Sequence, residues 1–270
     1  MSKAFSKTLI SVMLAIAAVT ACFGQPSASK VKAFDVGESI TYEAKASKII
    51  SGIAVADLSF LLQKAPGSDE YVIKTEAVSK GTLLKLFRYS FLEQYESLVD
   101  PLDFGIRKTT KHDVQKDRVR DSVADFDYAN KRVTFTESDP KEPNRPPRRI
   151  ASDLPGPMND IISAIYAMRM RPLAVGQSFT IPISDSGLVF DIPVKIAARE
   201  QQKTAIGKFW CLRIEPELFG ENKLIEQKGS VTIWVTDDHR HLPVRGRVET
   251  EAFKVDVKIR SVTNTPPPAT

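Results

Sequence analysis

The sequence predicts a mainly β chain of α+β type: a single large curved antiparallel sheet, or half-barrel, packed on one principal helix. Segments that alternate apolar and polar residues recur from Ser39 to Val262, which is the pattern of half-buried strands. Short turns rich in Gly, Pro, Asn and Asp join them. Only one stretch, residues 158–171, carries helical periodicity without ambiguity.

The elements follow in chain order. In ESITYEAKAS, Ile40, Tyr42, Ala44 and Ala46 alternate with polar residues. GIAVADLSFLLQK puts Ala54, Ala56, Leu58, Phe60 and Leu62 on one face, and APGSDE turns the chain into EYVIKTEAVSK. GTLLKLFRYSFLEQYESLVD fits either an amphipathic helix or a strand with a bend, and Gly81 and the aromatics favour the strand. DRVRDSVADFDYANKRVTFTE reads as a hairpin with its tip near Ala129-Asn130-Lys131. Six of the 17 prolines crowd into residues 139–157, which predicts a long surface loop, because proline cannot donate to a ladder. The helix follows. Ile161, Ile165 and Met168 fall at i, i+4, i+7, Ile162 widens the stripe, Asp160 and Arg169 suit the dipole, and Pro172 stops it. Strands resume to the end, with turns at Ser184–Gly187 and Gly207. A bulge or tight turn near Glu251-Ala252 is needed to reconcile the register of Val244 and Val248 with that of Phe253 onward. The count is about ten strands and one helix.

The N-terminus carries an address. MSKAFSK is short and basic, and TLISVMLAIAAVTA is apolar but too short to span a bilayer comfortably, so residues 1–21 read as a secretory signal peptide. Losing Lys3 and Lys7 with it lowers the formal charge from +5 to about +3. That mild imbalance, with no zinc-finger spacing or RNP-like aromatic motif, gives no case for nucleic acid. The junction Val19-Thr20-Ala21-Cys22 resembles the lipobox of bacterial lipoproteins, which implies acylation of Cys22 and an outer-membrane or periplasmic location in a Gram-negative envelope. Ordinary cleavage to a free periplasmic protein is the alternative. Residues 22–33 would then be a tether, 34–263 one domain, and 264–270 a tail. Cys211 is left without a partner, so no intrachain disulfide is expected, and its strand-like setting fits a buried apolar role.

No motif for catalysis stands out. There is no G-x-S-x-G, H-E-x-x-H or phosphate-binding glycine loop. Asp237, His239 and His241 in TDDHRHLP could suit a metal on spacing alone. The parity of the flanking apolar residues instead predicts a four-residue turn, Asp237–Arg240, opposing Val235 to Leu242 and Ile233 to Val244. No metal and no cofactor is expected. Trp234, on the face opposite Val235, could be a ligand wall or packing.

Three segments together resemble a known family: GESITYEAK, DIISAIYAMRMRPLAVGQSF and IWVTDDHRHLPVRGRVE. The pattern is similar to the exported bacterial proteins of the domain of unknown function DUF3108, which has no assigned activity. The last hairpin also resembles lipoprotein carriers of the LolA/LolB type. That resemblance implies an open curved sheet with an apolar cavity for acyl chains, although a single clear helix departs from it. The expectation is a non-enzymatic envelope protein that binds a hydrophobic or lipid-like ligand, or a lipidated partner. Its expected lining is Leu58, Phe60, Leu62, Ile161, Ile165 and Met168, residues that would equally make a closed core. The alternative is a structural or assembly factor acting on another envelope protein through its surface, with Arg145, Arg148 and Arg149 as the docking site.

Overall fold

The computed structural model describes residues 33–46 and 52–264. The signal segment, Cys22, all of the tether but its last residue, and the tail from residue 265 lie outside them. Among the described residues no helix is long and apolar enough to cross a membrane.

The chain runs β1 (Glu38–Ala46), β2 (Ile53–Lys64), β3 (Tyr71–Ser79), α1 (Gly81–Phe87), β4 (Phe91–Val99), β5 (Ile106–Gln115), β6 (Arg118–Asp127), β7 (Arg132–Ser138) and β8 (Arg148–Asp153). It continues through α2 (Ile161–Arg169), β9 (Ser178–Asp185), β10 (Leu188–Thr204), β11 (Gly207–Pro216), β12 (Gly229–Thr236), β13 (Pro243–Thr250) and β14 (Lys254–Asn264). All fourteen strands form one antiparallel sheet. Its order is β8-β7-β6-β5-β4-β3-β2-β1-β14-β13-β12-β11-β10-β9. Each hairpin pairs with its sequence neighbour, and β1 pairs with β14 to join the two halves.

The sheet is open but strongly rolled. Strands lie about 4.8 Å apart, so a flat sheet would hold β8 and β10 nearly 60 Å from each other. Instead the β9–β10 turn meets β7 and β8: a Cβ added to Gly187 would sit 2.7 Å from Phe135 Cβ and 3.2 Å from Ile150. Gly187 has φ +80°, and both the backbone and the contact exclude a side chain there. The edges β8 and β9 do not pair with one another. The segment 158–160 lies between β5 and β9. Met158 O accepts from Ile106 N (2.8 Å), Asn159 N donates to Pro182 O (3.0 Å), and Ser184 N donates to Asn159 O (2.8 Å).

α2 fills the roll. Asp160 caps it through Ser163 N (2.6 Å), and Ser163 Oγ accepts from Asp160 N (2.9 Å), a reciprocal capping box. Ser97 of β4 donates to the same carboxylate at 2.5 Å. Burial pushes the Asp160 carboxyl above its ordinary range, against the pull of these bonds. One flank of α2 puts Tyr166 into a core with Leu62, Ile73, Phe104 and Val133, and the other puts Ala164 and Met168 against Ile183, Ile196 and Val235. The helix is therefore enclosed on several sides and does not lie on the sheet by a single stripe. Ile161, predicted to face inward, is 41% exposed.

Four expectations are corrected. Gly81–Phe87 is a helix, not the start of a strand; its leucines and lysine favour helix, and Arg88 ends it at φ +49°. The predicted loop 139–157 contains β8, an edge strand that falls between its two groups of prolines. The β12–β13 turn spans Asp237–Leu242, and Val235 opposes Pro243 while Ile233 opposes Gly246. Val244 is an extra residue in a bulge, which breaks the parity the prediction relied on. Asn264 belongs to β14 and not to the tail. The tight turn near Glu251 is present, closed by Thr250 N to Phe253 O at 2.8 Å.

Both side chains of Glu38 and Arg169 are fully buried. Arg169 holds Glu38 bidentately, Nη1 to Oε1 at 2.6 Å and Nη2 to Oε2 at 2.9 Å. It also donates to the carbonyls of Arg240 (3.0 Å) and Ala33 (3.1 Å), and its guanidinium lies 4.7 Å from the Phe34 ring centroid. His241 Nδ1 donates back to Arg169 O at 3.0 Å.

Replacing Arg169 by Met should cost about 3–5 kcal/mol in urea unfolding, because Glu38 is left as an uncompensated buried charge. Glu38→Leu added to Arg169→Met should recover part of that loss. Cys211 is buried, and burial with the nearby Asp238 and Asp237 pushes its thiol up to about 12. In a Cys22→Ala background, Cys211 should resist maleimide in buffer and react fully in urea.

Candidate functional site

The roll has two poles. Glu38 pairs with Asn264, so both ends of the described domain lie at one pole. β1 then runs about 26 Å, at roughly 3.3 Å per residue, to the other. There the side chains of β14, β1, β2, β3, β4 and β5 border an open groove of about 640 Å³.

Its floor is made of small residues. Ala44 lies opposite Ala56, and Leu58 opposite Ala77, so methyl side chains leave depth where larger ones would fill it. Val55 turns in beside Ala56 because β2 carries an extra residue there, facing the Ala44/Lys45 step of β1. Leu83 of α1, Phe91, Val255 and Val257 complete the apolar walls. Phe253, in the β13–β14 turn, stands at the mouth and is 43% exposed.

One wall is polar. Ala77 opposes Glu93, and Glu93 opposes Asp113. Each acid has a basic partner, Lys111 at 2.6 Å from Glu93 and Arg118 at 2.6 Å from Asp113. Gln115 donates to Asp113 (3.1 Å) and accepts from the Tyr89 hydroxyl (3.3 Å). The wall therefore offers paired charges, an amide and a phenol beside a hydrocarbon floor.

A second, smaller space of about 170 Å³ lies between α2 and the sheet. Leu58, Phe60 and Ile165 border it together. Tyr42 and Tyr166 do so as well, and burial raises both phenols above their usual range. The buried Tyr166 hydroxyl has no hydrogen-bond partner among the described residues. Leu58 and Val257 border both spaces.

Of the six residues expected to line a cavity, three thus meet in the small space, and Leu58 also reaches the groove. Leu62 and Met168 belong to the closed cores, and Ile161 faces outward. Most of the groove, including Ala44, Ala56, Ala77, Phe91 and Val257, escaped sequence reasoning. Alanines on a strand give no hydrophobic peak, and cross-strand neighbours are invisible in one dimension. Arg145 lies in the β7–β8 loop beside Glu142, and Arg148 and Arg149 open β8, all three exposed.

The histidine turn is tied in several directions. Asp237 pairs with Arg199 (2.5 Å), Asp238 accepts from Thr236 Oγ1 (2.7 Å) and Arg240 N (2.9 Å), and His241 holds α2. Trp234 is buried as packing. Its indole donates to Glu200 at 3.0 Å, and the Arg245 guanidinium lies 4.8 Å from its ring centroid.

Among solved structures, the fold is similar to a β-barrel-like protein of the domain of unknown function DUF1849 from Brucella abortus. The TM-score is 0.58 at 9% identity, covering 85% of this chain and 98% of that one. Two more distant matches, at TM-score 0.32, are a Parabacteroides distasonis protein described as a lipoprotein (11% identity; 85% and 96% covered) and a Bacteroides fragilis protein described as exported with a YmcC-like fold (9% identity; 85% and 96% covered). No curated protein matches the sequence. The profile of the protein family of unknown function DUF3108 matches residues 40–257, most of the rolled sheet together with α2, and the chain belongs to that family.

Proposed function

We propose that this is an exported, non-enzymatic envelope protein that holds an apolar or lipid-like ligand in the groove between β14 and β5. The observation that carries the reading is the groove itself. Its volume of about 640 Å³ falls within the roughly 300–1,000 Å³ usual for small-molecule sites, and its floor is alanine and valine. The polar wall at Glu93, Asp113 and Gln115 supplies a place for a head group. A rolled open sheet with an apolar hollow is also the architecture implied by the likeness to LolA/LolB-type carriers. Here the hollow lies beside α2 instead of beneath it. The signal segment supports export, and Cys22 supports a lipid anchor. A lipidated protein partner presenting one acyl chain would use the same groove.

A second reading, a structural or assembly factor, draws on β8. An edge strand beginning with two exposed arginines suits contact with an acidic surface of another envelope protein. Arg148→Glu with Arg149→Glu should disrupt that contact and leave groove binding intact.

cis-Parinaric acid should gain fluorescence on binding the purified protein, and organic extraction should release bound lipid detectable by mass spectrometry. Ala77→Phe should weaken parinaric acid binding at least about tenfold while circular dichroism and melting stay close to the parent, since the ring fills the floor without entering a core. Equal binding by the variant would defeat the groove assignment. In cells, Cys22→Ala should move the protein from the membrane to the soluble fraction; unchanged fractionation would remove the anchor.

A further inference from the structure

We propose that the groove pole is a docking face for an anionic phospholipid bilayer, from which the groove draws its ligand. The inference rests on the groove being a ligand site and goes beyond it by naming the surface that supplies the ligand.

The basic side chains at this pole form a band along one side of the mouth. Lys85 lies on α1 and Arg88 just after it; both are exposed, and neither has a carboxylate within salt-bridge distance among the described residues. Next come Lys116 and Arg118 of the β5–β6 turn. Lys116 Nζ lies 5.5 Å from the centroid of Tyr89, which borders the groove. The β7–β8 loop continues the band, since Lys141 donates to Asp117 O at 2.5 Å and brings Arg145 alongside. The acids of these turns are mostly engaged: Asp139 with Arg120, Glu142 with Arg145, and Glu251 with Lys228. Phe253 projects at the mouth between the groove and solvent.

An apolar mouth edged by cations fits a bilayer interface. Head-group phosphates attract the band, and an exposed aromatic enters the interfacial layer. Glu38 and Asn264, where the sheet begins and ends, pair at the other pole. A lone aromatic gives little affinity without the charge. Binding should therefore need anionic lipid and fall with salt, because the Debye length shrinks from ~10 Å at 0.1 M to ~3 Å at 1 M.

The test uses the mature chain with Cys22→Ala, so that no acyl anchor contributes. It should float with vesicles of phosphatidylcholine and phosphatidylglycerol and not with phosphatidylcholine alone, and 1 M salt should release it. Lys85→Glu, Arg88→Glu and Arg145→Glu together should lower the vesicle-bound fraction at least about tenfold, each basic residue contributing separately. Parinaric acid binding in solution should be unchanged, which shows the variant folded and its groove intact. Parent protein indifferent to anionic vesicles yet loading parinaric acid would overturn the docking face and leave the groove standing. Vesicle binding without parinaric loading would remove the groove, and with it this proposal's source of ligand. Indifference to vesicles, with a charge-reversal-sensitive crosslink to an envelope protein, would assign the face to an acidic protein instead.

Discussion

The buried pair of Glu38 and Arg169 fixes how this sheet can roll. It joins the first strand to the end of the interior helix, 131 residues apart, and through Arg240 and His241 it ties in the β12–β13 turn. Two ions out of water cost several kcal/mol each, and only a near-ideal geometry offsets that. The four bonds donated by this one guanidinium cannot form unless β1, α2 and that turn are all in place. The pair thus acts as a coincidence check on the fold more than as a source of net stability. The three segments that carry the family likeness converge here: GESITYEAK contributes Glu38, the helix segment Arg169, and the last hairpin Arg240 and His241.

Strand alternation was legible where the roll buries one face, as along β1 and the middle of β10. What failed was whatever depends on a neighbour out of sequence. Arg169 read as a dipole charge at a helix end, since nothing near it in the chain announces Glu38. The histidine stretch was read as a hairpin turn, but its register slipped when Val244 bulged. The strand reading favoured at α1 and the loop reading at β8 failed for opposite reasons. Aromatics beside Gly81 imitated a strand, whereas prolines flanking Arg148–Asp153 hid one.

The interior is divided between helix and groove. α2 occupies one part with Tyr166, Ala164 and Met168, and where its side chains end the strands carry alanine instead of larger residues. Leu58 and Val257 stand on the boundary, touching the small space by α2 on one side and the groove on the other. Of the expected lining, Leu58 and Phe60 of β2 and Ile165 of α2 border the small space, while Leu62 and Met168 lie in closed cores. A helical stripe reports only that something covers it.

The three-residue seam of Met158, Asn159 and Asp160 has a consequence for how the roll is held. It bonds to β5, three strands in from the β8 edge, and to the β9 edge, and β8 and β9 share no ladder whose register must agree. In a closed barrel, strand number, tilt and stagger must agree around the whole ring. Here the approach of β7 and β8 to the β9–β10 turn is set by the packing of Phe135 and Ile150 against Gly187, not by a hydrogen-bonded ring.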